Sequence, residues 1–197
     1  MSTQIFSDPK AMLRRAALAR RRALGPDARQ RMSLRIVSEG SRLARLWRPA
    51  AISVFHPIRD EPDTLALLAA LTGEGFVTAL PVTVSRASPL TFRVWRSGDP
   101  TVPGEMGIPE PRPDAAAVDP DLLFVPLAVF DRRGHRIGYG AGHYDRALAR
   151  LRALKPIHAV GIAYASCETA CVPNEAHDEP LDFILTENEL IDAGAAR

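Results

Sequence analysis

The chain has 197 residues, 46% of them hydrophobic and 24% charged, with a formal net charge of +2. That is ordinary globular composition, and a chain of this length buries about 70% of its unfolded surface without covalent staples. Two cysteines are too few for a disulfide scaffold, no apolar run reaches the ~20 residues of a membrane span, and the polar first ten residues lack a secretory leader's apolar stretch. The expectation is a single domain over 1–197 in the cytoplasm, with no membrane contact.

Ser7-Asp8-Pro9 reads as a helix start, because Asp8 can cap a free N–H and Pro9 suits the first turn. A helix is predicted over 10–24, with Met12, Leu13, Ala16, Ala17 and Leu24 available for an apolar side, and Gly25-Pro26 stops it. Met32, Ile36, Leu43 and Leu46 stand at helical spacing in a second helix over 28–47. Residues 51–55 form a buried strand, 56–61 a loop at its C-terminal end, and 63–71 a third helix closed by Gly73-x-Gly75. Strands follow at 76–80 and 90–95. Residues 98–120, rich in Pro and Gly, are read as a long loop, and 122–130 as a central strand. A glycine-rich loop leads into a helix over 144–154, then strands at 157–164 and 182–185. Strand and helix alternate after two leading helices. The predicted fold is three-layer α/β/α, with a mostly parallel sheet and helices on both faces.

The strongest local signal lies after the central strand. Asp131-Arg132-Arg133-Gly134 is followed by alternating Gly138, Gly140 and Gly142, and a helix opens near Tyr144. Glycines let backbone N–H groups approach a ligand without a Cβ in the way. The helix start adds free N–H groups and a partial positive charge. Together they suit an anion, above all phosphate, with Arg133 and Arg136 as charged grips and Asp145 as a magnesium ligand. The same residues also suit a plain glycine turn with an aspartate at the helix start. Neither a Walker A loop nor a dinucleotide fingerprint is present.

Residues 10–48 carry a surplus of arginine. A solvated helical face explains most of it. Nucleic-acid binding is the competing class, but no helix-turn-helix, zinc finger or aromatic stacking motif accompanies the cations. Cys167, Cys171 and His177 could be named as three zinc ligands, yet their spacing matches no common pattern and two buried apolar thiols account for the cysteines.

Taken together, the motifs resemble the 5-formyltetrahydrofolate cyclo-ligase family. They run in family order along nearly the whole chain. Lys10-x-x-x-Leu13-Arg14 comes first, then 55–64 (FHPIRDEPDT), Leu80-Pro81, and Leu90-Thr91-Phe92-Arg93-x-Trp95. Gly107-Ile108-x-Glu110-Pro111 follows, then Pro126 with Phe130-Asp131, and Gly134-x-Arg136-Ile137-Gly138-x-Gly140-x-Gly142-x-Tyr144-Asp145. His177-Asp178-x-Pro180-Leu181-Asp182 with Thr186 closes the series.

The resemblance implies ATP- and magnesium-dependent conversion of 5-formyltetrahydrofolate to 5,10-methenyltetrahydrofolate by a monomer that binds no nucleic acid. It implies catalytic roles for Arg136, Tyr144 and Asp145. ATP would lie against Lys10, Arg14, Arg136, Ile137, Gly138, Tyr139, Gly140, Ala141, Gly142, His143 and Tyr144. The folate would lie against Phe55, His56, Glu61 and Trp95 and the loop from Tyr139 to His143, and Asp145 and Asp178 would hold magnesium. Three positions depart from the family pattern. Ala141 replaces a frequent Lys or Gly, His143 replaces an aromatic Tyr or Phe, and the stretch around Cys167 lacks a common Gln. They bear on substrate geometry more than on ATP, so a relative with a drifted substrate or no turnover stays open.

Overall fold

The computed structural model describes residues 8–105 and 107–195. Ser7 and the residues before it, part of the expected polar N-terminus, lie outside the described residues. Helix α1 spans Pro9–Arg22 and starts as its sequence dictates, with Oδ1 of Asp8 accepting the Lys10 N–H at 2.9 Å. Pro26 opens α2 (Pro26–Trp47) rather than merely ending α1, so the second helix begins earlier than expected. Along α2 the buried side is Met32, Ile36, Leu43 and Ala44, whereas Leu46 is exposed. Trp47, four residues past Leu43, takes the place expected of Leu46 against the core. Met12 on α1 is likewise exposed, while Ala17 is buried.

The remaining elements are β1 (Ile52–Ser53), α3 (Leu65–Gly73), β2 (Thr78–Val82), β3 (Thr91–Val94), β4 (Thr101–Pro103) and β5 (Pro109–Pro111). Then come β6 (Leu122–Pro126), β7 (Val129–Phe130), β8 (Arg136–Ile137), α4 (His143–Leu154), β9 (His158–Ile162), β10 (Phe183–Leu185) and β11 (Leu190–Asp192). Seven strands form one sheet in the order β11-β10-β9-β6-β1-β2-β3. Its five inner strands are parallel, and β3 and β11 are antiparallel edges. The α/β expectation holds.

The expected strand over 122–130 is two elements. β6 stays in the sheet, and β7 leaves it to pair with β8 in a separate hairpin, with Val129 opposite Ile137. The long loop over 98–120 also contains structure, because β4 and β5 pair there. β11 was not foreseen. It is three residues long and half exposed, too short to carry a period.

From β1 the chain moves one way to β2 through α3, and from β6 the other way to β9 through α4. Right-handed crossovers in opposite directions put α3 and α4 on opposite faces. The strand order reverses between β1 and β6, and a crevice opens there at the strands' C-terminal ends, where ligands bind in open α/β sheets. One apolar cluster fills the sheet's two faces with Ile52, Leu67, Leu122, Phe124, Leu148, Val160 and Ile184 among its fully buried members. Gly161 marks how tightly it packs, since a Cβ there would stand 2.5 Å from Leu181 Cδ1 and 2.7 Å from Leu127 Cδ2. A smaller cluster of Ala17, Ala128, Val129, Ile137 and Val172 seats α1 on the β7–β8 hairpin. No described helix is long and apolar enough to cross a membrane.

Candidate active site

The crevice at the switch point is a cavity of about 600 Å³. Phe55 reaches it from the end of β1 and Pro126 from the end of β6. Phe55, Ile58, Leu90 and Ile108 give it apolar walls, and the Glu61 and Glu110 carboxylates are in the same lining. Lys10, Arg14 and Arg136 line it too, with Lys10 on Asp178 and Arg136 on Asp145. The glycine loop from Gly138 to Gly142 is part of the lining.

The loop's backbone needs its glycines at two places. Gly140 (φ 95°) and Gly142 (φ 66°) are left-handed, and a Cβ on Gly142 would lie 2.8 Å from Arg146 Nη1. Gly142 is also the N-cap of α4, with no side-chain cap bond, so the first-turn amides are left to the loop side. Arg14 ties the loop down by donating from Nε to the Gly138 carbonyl at 2.7 Å.

Arg136 is nearly buried, and its Nη2 donates to Asp145 Oδ1 at 2.6 Å while Nη1 donates to the Glu179 carbonyl. Burial lowers its pKa, and the Asp145 carboxylate opposes that fall. Lys10 donates to Asp178 Oδ2 at 2.7 Å and to Glu175 Oε1 at 3.1 Å. Partial burial works against the Lys10 charge, but the two carboxylates outweigh it and raise its pKa. Asp178 shifts the opposite way: desolvation is overcome by Lys10 and the Glu175 N–H, and its pKa falls.

Glu61 is 8% exposed. Burial raises its pKa, against the opposing effects of the Ile58 N–H, Tyr139 and Arg21. Its Oε2 accepts from Ile58 N at 2.9 Å, and its Oε1 is buried with no hydrogen-bond partner. The Tyr144 hydroxyl is also buried without a partner, and burial raises its pKa, so it remains a neutral donor. Glu110, which the sequence offers only as part of a turn, lines the cavity. Its Oε1 accepts from Thr83 N at 3.0 Å, and Gly104 makes room for it, since a Cβ there would stand 2.3 Å from the carboxyl carbon.

The structure brings together Lys10, Arg14, Phe55, His56, Glu61, residues 136–145 and Asp178. Two expected residues stay outside the lining. Trp95 packs into the core and donates its indole N–H to the Asp99 carbonyl at 3.1 Å. It follows the edge strand β3, so its ring is used for packing. Arg133 turns away to pair with Asp131 at 2.8 Å and reaches Cys171 Sγ at 3.1 Å. Cys167 is buried and Cys171 exposed, and with His177 they form no metal-holding group among the described residues. The departures at Ala141 and His143 have visible surroundings. His143 Nδ1 lies 3.4 Å from the Ser88 carbonyl, and Arg146 donates to the carbonyls of Arg86 and Ala141, each at 2.9 Å.

Asp145 and Asp178 offer hard oxygen donors in the cavity lining, each partly exposed. Among the described residues no group of three or more metal-ligating side chains gathers. Oxygen donors of this kind are the type magnesium takes, since that ion keeps most of its waters and binds through one or two carboxylates plus phosphate oxygens.

The 5-formyltetrahydrofolate cyclo-ligase family matches residues 7–187. The chain is 31% identical to the Escherichia coli 5-formyltetrahydrofolate cyclo-ligase over 176 residues, covering 87% of this chain and 96% of that one. It is 32% identical to the Mycolicibacterium smegmatis protein of the same name over 192 residues, covering 90% and 93%. The solved structure of Aquifex aeolicus 5,10-methenyltetrahydrofolate synthetase superposes with a TM-score of 0.80 at 28% identity, covering 93% of this chain and 92% of that one. With the switch-point cavity, the glycine loop and these likenesses on one chain, the protein belongs to the 5-formyltetrahydrofolate cyclo-ligase family.

Proposed function

We propose that this protein converts 5-formyltetrahydrofolate to 5,10-methenyltetrahydrofolate at the expense of ATP, releasing ADP and phosphate, as a cytoplasmic monomer. The observation that carries this reading is one cavity whose lining joins apolar walls and carboxylates to a cluster of cations and the glycine loop. The apolar walls, with two carboxylates, suit a flat pterin edged with N–H donors. Glu61 would accept from the exocyclic amine, and Glu110 would take a second ring N–H. Phe55, His56 and Ile58 cover the ring faces. The cations suit a triphosphate, which Lys10, Arg14, Arg136 and the amides at the start of α4 would neutralise.

The formyl oxygen is a poor leaving group until it accepts the terminal phosphoryl group of ATP. Nitrogen 10 of the folate then attacks the formyl carbon and loses its proton. The carbon–oxygen bond breaks and phosphate departs with its electron pair. The protein's share is positioning and charge neutralisation. Residues 138–143 hold the phosphate chain on one side and the formyl group on the other. Arg136 meets charge on the transferring group, Asp145 orients Arg136, and the neutral Tyr144 hydroxyl donates into the same space. Asp145 and Asp178 would hold a magnesium ion that supplies further neutralisation of the phosphate oxygens.

Purified protein is mixed with 5-formyltetrahydrofolate, ATP and magnesium, and the absorbance band of the methenyl product is followed. The expected result is a band that grows only with ATP present. ATP and folate binding without product would replace this reading with a relative of drifted substrate, and Ala141 and His143 would be the positions to revert.

A further inference from the structure

We propose that Arg21 is a positioning residue for folate binding in the cavity, holding the Tyr139 hydroxyl so that the glycine loop is fixed against Glu61. The inference rests on the folate reading above.

Lys10, Arg14, Ala17 and Arg21 follow one another at helical spacing, so they form a single stripe along α1. Each of the three cations does something different on that stripe. Lys10 reaches Asp178, Arg14 holds the Gly138 carbonyl, and Arg21 donates from Nη2 to the Tyr139 hydroxyl at 2.8 Å. The first two residues line the cavity. The third lies outside the lining and acts behind it, through Tyr139, which does line it.

Arg21 is 2% exposed, and its Nε and Nη1 are buried with no hydrogen-bond partner. A buried cation with unmet donors is costly, so packing alone is a poor reason to keep one there. The nearby carboxylate has the complementary deficit, since Oε1 of Glu61 is buried and unpartnered. The Tyr139 hydroxyl accepts from Arg21 and is near enough to Glu61 for each to shift the other's charge balance. The arrangement aims the loop, and it keeps a positive charge near a carboxylate that accepts most strongly from a pterin amine when ionised. A cation placed only to brace α1 would have no need of the loop's one hydroxyl.

The test is equilibrium titration of 5-formyltetrahydrofolate without ATP, and of ATP alone, on the full chain. Wild type is compared with Arg21→Met, Arg21→Lys, Tyr139→Phe and the Arg21→Met/Tyr139→Phe double variant. Loss of the charge-assisted bond should weaken folate binding about 10-fold, with a smaller loss for ATP, whose phosphates the same loop would meet through backbone amides that stay in place. Arg21→Lys should recover part of the loss, because it keeps the charge without the fork. The double variant should be no weaker than the worse single one, since both changes break one relay.

A second readout is the pH profile of folate binding. Arg21 and Arg59 are the cations acting on Glu61, and the Tyr139 and Tyr144 hydroxyls face it. Removing Arg21 should therefore move the acid limb to higher pH. Should Arg21→Met fail to fold, Arg21→Lys and Tyr139→Phe carry the same comparison. Equal losses for ATP and folate, additive single changes, or unchanged folate binding in every variant would each overturn the inference. Wild-type protein that binds no folate would overturn the functional reading itself, an outcome distinct from wild-type binding with unaffected variants.

Discussion

Nζ of Lys10 lies 2.7 Å from Oδ2 of Asp178, 168 residues further along the chain. The pair joins the first helix to the segment before β10, and both residues line the cavity. It also sets a phosphate-seeking cation against a candidate magnesium ligand, and each favours the other's charged form. The two side chains should then separate by function. Lys10→Met should raise the ATP KM about 10- to 100-fold, the range of one hydrogen bond to a charged group, with a smaller change for folate. Asp178→Asn should raise the magnesium concentration needed for half-maximal turnover instead. Steady-state kinetics with each ligand varied in turn checks both. A shift in the ATP KM alone for Asp178→Asn would remove it from the metal site.

Asp145 holds Arg136 at 2.6 Å and also accepts the Glu179 N–H at 3.2 Å. Removing the carboxylate strands a buried guanidinium and takes away a candidate metal ligand. Asp145→Ala is therefore expected to lower kcat by at least about 100-fold, the scale of losing one preorganised electrostatic contact. Folate binding should remain, because the Glu61 and Glu110 carboxylates are untouched. Asp145→Asn keeps an acceptor for Arg136 without the charge, so any turnover it retains over the alanine variant measures the orienting share. Single-turnover assays with product absorbance provide the comparison.

Glu61 titrates above the ordinary carboxylate value of about 4.3, because burial disfavours its charged form. Only the ionised form accepts a hydrogen bond from a pterin amine on both oxygens. Folate affinity should consequently weaken as pH falls, and the loss should begin at higher pH than for an exposed glutamate. Glu61→Gln should bind folate more weakly at neutral pH and lose the acid limb altogether. Folate titrations across pH, with ATP titrations as the control, distinguish this from general acid unfolding.

Much of the site was legible because its residues sit at fixed spacings. Gly138, Gly140 and Gly142 announce a backbone conformation, and Lys10 with Arg14 announces a helix face. The parallel sheet was legible because buried strands such as β6 are apolar throughout. What the sequence hid depends on contacts between distant residues. Trp95 reads as a ligand by its place in a motif, but its neighbours beyond β3 close over the ring. Glu110 and Arg21 look like ordinary surface charges in a Pro-rich segment and an arginine run. Only the fold places one beside Thr83 and the other behind Tyr139. Residues 122–130 form an unbroken apolar run, and nothing local marks where β7 leaves the sheet, because both pieces are buried.

Asp131 is fully buried at the end of β7 and accepts four hydrogen bonds. Oδ1 takes the Arg133 and His135 N–H groups at 3.0 and 3.2 Å, and Oδ2 takes Arg133 Nη2 at 2.8 Å and Val172 N at 2.9 Å. The carboxylate thus organises the turn that delivers β8 and Arg136 to the cavity. Desolvation pushes its pKa up, but those four donors prevail and hold it below the usual range. A carboxylate whose folded pKa is depressed adds stability above its unfolded pKa of about 3.9, and that stability is lost as pH falls through the folded value. Asp131→Ala leaves Arg133 and three backbone donors without their acceptor, at a cost of about 3–5 kcal/mol. Asp131→Asn retains one acceptor oxygen and should cost less. Urea denaturation at neutral pH and again near pH 3 tests the assignment. The gap between wild type and Asp131→Asn should narrow at the lower pH, and a gap independent of pH would mean the side chain acts by shape alone.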